Sequence, residues 1–96
     1  MTQTDNNLIP AIAIHPGEIL KETLEERGMT QKVLAEKIGR PVQLINGIIN
    51  GHKSITADTA LDLAEAFGTS AELWLNLESF YQLNIARQRR YERKAG

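Results

Sequence analysis

TQKVLAEKIGRPVQLINGIING, residues 30–51, carries two sets of apolar side chains at helical spacing: Leu34, Ala35 and Ile38, then Ile45, Ile48 and Ile49. Two short helices, each with one buried face, follow from that spacing. Thr30 is placed to accept a hydrogen bond from the first free amides of one helix, and Gly39 to end it in a left-handed conformation. Pro41 opens the other, where a missing N–H costs nothing, and Gly51 stops it. The joint Gly39-Arg40-Pro41 is a tight turn. Two helices linked by three or four residues including a glycine form a helix-turn-helix, whose second helix enters a DNA major groove.

Gln43, Asn46, Gly47 and Asn50 follow at i, i+3, i+4 and i+7, a stripe expected to face away from the isoleucines. Glutamine and asparagine donate and accept at once, which matches the N6 donor and N7 acceptor of adenine; Val42, near the helix start, is placed for a thymine methyl. Lys32, Lys37, Arg40 and Lys53, against Glu36 alone, make the segment locally basic, as a phosphate backbone requires. A plain solvated face on a small helical bundle is the competing reading of the same stripe.

A chain of 96 residues with 42% hydrophobic side chains builds one small domain around a single modest core. Without cysteine there is neither a disulfide framework nor a thiolate metal site, and a reducing cytoplasmic setting is expected. The net charge of -1 argues against nucleic-acid binding by bulk charge alone, so distribution matters. Glu18, Glu22, Glu25 and Glu26 crowd the first helix, where they form a solvated face or attract a basic partner. Arg87, Arg89, Arg90, Arg93 and Lys94 near the other end are opposed only by Glu92. No phosphate-binding glycine loop, metal-ligand spacing or nucleophile–base pair is visible, so neither an enzyme nor a cofactor is expected.

Residues 1–14 read as an N-terminal arm. The first seven are polar and aperiodic; residues 8–14, LIPAIAI, are apolar but interrupted by Pro10, too short for a membrane span and without a positive leader. This stretch fits a strap over the protein's own core, or an arm laid on a partner. His15 is expected to cap the first helix and Pro16 to begin it, with Ile19, Leu20 and Leu24 as its apolar stripe and Gly28 at its end. Thr56 is placed to cap a fourth helix that Gly68 closes, and Thr69-Ser70-Ala71-Glu72 fits a capping box for a fifth. Leu73, Trp74, Leu77, Phe80 and Tyr81 give that helix more apolar surface than one side of a small bundle needs. Trp74 is assigned to the core, and Leu77, Phe80, Tyr81 and Asn84 to a subunit interface. Residues 15–84 then form the folded domain, and residues 85–96 a basic tail that continues the helix before fraying.

Thr30-Gln31, Leu34-Ala35, Gly39, Ile45 and Asn50-Gly51 resemble the lambda-repressor and Cro type of helix-turn-helix. The wider string over residues 15–83, with HPGE, GMTQ, IING, SITADTAL and WLNL as a set, resembles the HigA family of bacterial antitoxins, also called VapI-like. That resemblance implies a homodimer that binds its own double-stranded operator DNA and neutralises a RelE-like, HigB-type ribonuclease toxin. It also implies that Gln31 bonds a phosphate and braces the reading helix. Two positions depart from the family pattern: Gly47, where a longer polar residue is common, and His52, where lysine or arginine is common.

The expected architecture is all-α, a five-helix lambda-repressor-like DNA-binding domain with an extended C-terminal helix. Two copies would place residues 41–50 in the major groove at half-sites about 34 Å apart. The DNA-binding set expected from the sequence is Gln31, Lys32, Arg40, Pro41, Val42, Gln43, Asn46, Gly47, Asn50, His52 and Lys53. Two alternatives remain open on the sequence alone: a protein chiefly for toxin binding with weak DNA affinity, and a stand-alone phage-like regulator. A small basic RelE-like reading frame beside the gene distinguishes the latter from an antitoxin.

Overall fold

The computed structural model describes residues 14–95; apart from Ile14, the N-terminal arm and its apolar stretch lie outside the described residues. Five α-helices and no strand occur among the described residues: α1 Pro16–Glu26, α2 Gln31–Ile38, α3 Val42–Ile49, α4 Ala57–Phe67 and α5 Ala71–Ala95. Local chemistry sets their ends. His15 Nδ1 accepts the Gly17 N–H at 2.8 Å, Thr30 Oγ1 the Val33 N–H at 3.1 Å, and Thr56 Oγ1 the Thr59 N–H at 3.3 Å. Gly39 and Gly68 close α2 and α4 at φ 70° and 71°, in the left-handed region.

Two boundaries shift by one residue from the sequence expectation. Pro41 is the N-cap of α3, with extended backbone, rather than its first helical residue. Ser70, not Thr69, caps α5: its Oγ accepts the Leu73 N–H at 3.1 Å, while the Thr69 hydroxyl takes the indole N–H of Trp74 at 2.9 Å. Glu72 thereby falls one position short of closing a capping box.

The core gathers one stripe from each helix. Leu20, Leu34, Ile45, Ile48, Ala60 and Leu63 are fully buried, and burying each large aliphatic side chain contributes about 1.5–3 kcal/mol. Packing of α4 on α5 places the Phe67 and Trp74 rings 5.8 Å apart. Arg27 ties the end of α1 to the end of α4, donating from Nη2 to the Phe67 carbonyl at 2.8 Å with its guanidinium 5.3 Å from the Phe67 ring. Glu78 of α5 accepts the Ile55 N–H at 2.9 Å and so anchors the loop that follows α3. Beyond Asn84, α5 runs on as the same helix to Ala95, and residues 87–94 are exposed on every face. None of the helices is long and apolar enough to cross a membrane, among the described residues.

Candidate nucleic-acid interface

The reading helix α3 is held from below by α1 and α2. Its turn from α2 is tight: Gly39 stands at φ 70°, the Arg40 N–H donates to the Ala35 carbonyl at 3.0 Å, and the Leu44 N–H to the Pro41 carbonyl at 3.0 Å. With Ile45 and Ile48 fully buried, the opposite face turns to solvent, and Pro41, Val42, Gln43, Asn46 and Asn50 are exposed along it. The far end of α3 rests on the start of α1. Gly17 is buried there: a Cβ on it would overlap the Ile48 carbonyl oxygen and stand 2.8 Å from Ile49 Cα. His15 completes the clamp, its ring edge-on to Tyr81 at 4.7 Å and its Nε2 3.2 Å from where a Cβ on Gly51 would lie. The sequence reading missed Gly17; a glycine second in a helix, where almost any residue has better propensity, was the available signal.

The amides of this face form a chain. Asn50 Nδ2 donates to Asn46 Oδ1 at 3.0 Å, and Asn46 Nδ2 donates to Gln31 Oε1 at 3.3 Å. Gln31 is thus brought against the reading helix from the start of α2. With its carbonyl oxygen engaged, its amide N–H groups suit an anion, while Asn46 is oriented from both sides with one N–H and one lone pair left over. Side chains already ordered lose less rotamer entropy on binding, where immobilisation costs about 0.5–1.5 kcal/mol each.

Not all the expected residues sit on that face. Gly47 is buried, because the loop after α3 curls back over it: its carbonyl accepts the N–H groups of both His52 and Lys53, and the Lys53 stem crosses it. Its assignment to the outward stripe is therefore corrected. Arg40 is half-exposed, with Nε 2.8 Å from Asp62 Oδ2 of α4; this charge contact lacks hydrogen-bond alignment. Its positive charge is thus shared with a carboxylate 22 positions along the chain. Lys32, Lys37, His52 and Lys53 are exposed around the helix pair.

The expected subunit surface also divides. Phe80 is 54% exposed, and Leu73 and Leu83 of the same helix are exposed too, while Leu77 is half-buried against the core. Tyr81 packs on His15 within the protomer. Asn84 is 1% exposed with neither amide atom hydrogen-bonded, so its place at an exterior interface is corrected to the protomer interior.

The helix-turn-helix family profile matches residues 20–74, from the middle of α1 to the first turn of α5. Over 77 residues the chain is 44% identical to virulence-associated protein I of Dichelobacter nodosus, covering 79% of this chain and 71% of that protein. Over the same length it is 42% identical to antitoxin HigA-1 of Vibrio cholerae, covering 79% and 72%. This chain belongs to the HigA antitoxin family. Among solved structures, antitoxin HigA of Pseudomonas aeruginosa with the higBA promoter superposes with a TM-score of 0.80 at 36% identity, covering 85% of this chain and 90% of that one. As a HigA-type antitoxin the chain carries its DNA-binding helix-turn-helix in α2 and α3 of a lambda-repressor-like fold. The family is one of helix-turn-helix antitoxins and transcriptional regulators, and the chain is not an enzyme.

Proposed function

We propose that this chain is the antitoxin of a type II toxin–antitoxin module, a cytoplasmic homodimer that represses its own operon and neutralises a HigB/RelE-like mRNA-cleaving toxin. The observation that carries the DNA half is the exposed amide row Gln43, Asn46 and Asn50, braced by Gln31. The promoter bound by the Pseudomonas aeruginosa relative supports it. Each subunit sets residues 41–50 in a major groove. Gln43 and Asn46 then offer the donor–acceptor pairs that adenine complements, and Val42 an apolar contact for thymine. Gln31, Lys32 and Lys53 serve phosphates, with Arg40 and His52 as further contacts, and the Arg40 contribution is reduced by Asp62.

Gln43→Ala and Asn46→Ala should each weaken operator binding by about 1–3 kcal/mol and flatten sequence preference, while helical content and salt dependence persist. Fluorescence anisotropy with DNA from upstream of its own gene, over a salt series, is the measurement. Unchanged affinity in both variants would remove this row from the reading surface.

Two-fold symmetry requires a self-complementary patch, and the strip of Leu73, Leu77, Phe80 and Leu83 on α5 supplies one. Phe80→Glu should move the dimer to monomer in sedimentation velocity, because a charge buried opposite its own copy costs at least about 2 kcal/mol. Wild-type sedimentation by this variant places the interface elsewhere.

A further inference from the structure

Gly47 lies four residues after Gln43 on α3 and yet does not face solvent. The backbone N–H groups of His52 and Lys53 converge on its carbonyl at 2.7 and 3.1 Å, which folds the chain after Gly51 back along α3. A Cβ built on Gly47 would stand 2.9 Å from Lys53 Cγ and 3.2 Å from its Cδ. The missing side chain is therefore the space that the lysine stem occupies. Gly51 permits the return by adopting φ 82°, which side-chain-bearing residues rarely adopt.

We propose that Gly47 is a positioning residue: a seat for the stem of Lys53 that holds its ammonium at the flank of the Gln43–Asn46–Asn50 row, ready for a DNA phosphate. This rests on the repressor reading and deepens it, assigning the glycine to affinity through a neighbour instead of through a base. A long lysine stem laid on the helix surface keeps its charged end in water, so the seat aims the charge without burying it.

The same anisotropy assay tests it, with the full chain and DNA from upstream of its gene. Gly47→Ala should leave the melting temperature unchanged or higher, since alanine favours the helix and a flexible stem yields to the new methyl. It should nonetheless weaken binding roughly 3- to 10-fold near 0.1 M salt and lower the slope of log K against log salt by about 0.9, the signature of one lost phosphate contact. Lys53→Ala should do the same, and the double variant should do no worse than Lys53→Ala alone. Lys53→Met keeps the stem without its charge; in that background Gly47→Ala should change neither affinity nor slope.

Additive losses would mean that the new methyl meets DNA directly and would overturn the proposal. So would a Gly47→Ala variant with wild-type affinity and slope. If the wild type itself shows no sequence- or salt-dependent affinity, the repressor reading fails and this proposal with it. Normal wild-type binding without the coupling removes the seat alone.

Discussion

Gly17→Ala should destabilise the domain by about 3 kcal/mol, although the same exchange at Gly47 is expected to be harmless to the fold. Propensity argues the other way at both positions, since alanine is better than glycine in a helix by about 1 kcal/mol. What decides the sign is the atom each new methyl would meet. At Gly47 it is the stem of an exposed lysine, which can swing aside. At Gly17 it is the Ile48 carbonyl and Ile49 Cα, both backbone, with His15 Nδ1 2.8 Å away on another side. Relief requires α1 and α3 to separate, and that loosens Leu20 against Ile45 and Ile48 in the centre of the core. For a domain of this size 3 kcal/mol lowers the melting temperature by roughly 12–24 °C. Because Gly17 supports the end of the reading helix, operator affinity should fall in parallel even where the variant is still folded. Thermal unfolding followed by circular dichroism gives the answer, and a melting temperature equal to wild type would show that the two helices can part without cost.

The helices and most of their caps were legible because their causes are local. Thr30 and Thr56 lie next to the amides they satisfy, and Gly39 is needed at the turn itself. The misplacements share a different cause. The spacing from Gln43 places Gly47 on the outer stripe, and the spacing is sound; the return of the chain through Gly51 to Lys53 covers it. Thr69 lost its capping role to Ser70 because an indole five residues later claimed its hydroxyl. Arg40 looked like a free phosphate ligand until α4 brought Asp62 beside it, 22 positions away in sequence. Asn84 carries a polar side chain at a position that continues the inward row of Trp74 and Tyr81 along α5. Periodicity marks such a position as buried, whereas residue type marks it as exposed. Here burial prevailed and left an amide without partners. In the site, the residues recognisable from the sequence are those that touch solvent. Gly17 and Gly47, which hold them in place, act through absent side chains that only the packed structure makes visible.

Trp74→Ala should remove about 3–5 kcal/mol of stability, a large share of what a domain of this length possesses. Three separate contributions disappear together. The indole is 1% exposed, so its whole apolar surface is lost to a cavity; its ring no longer packs on Phe67 at 5.8 Å; and its N–H no longer satisfies the Thr69 hydroxyl at 2.9 Å. Phe67 is also the residue whose carbonyl and ring hold Arg27, so loosening it frees the end of α1 as well as α5. Trp74→Phe separates these parts. It keeps a ring against Phe67 while giving up the hydrogen bond and some volume, and should cost about 1–2 kcal/mol. Because the chain has a single tryptophan, urea unfolding must be followed by circular dichroism rather than by intrinsic indole emission. A further consequence concerns the proposed dimer: α5 presents Leu73, Phe80 and Leu83 from the same helix that Trp74 docks, so Trp74→Ala should also weaken that association without altering the surface proposed for it. If the alanine variant unfolds at the wild-type urea midpoint, α5 is held by something other than its tryptophan, and the link from core packing to the placement of the proposed subunit surface is broken.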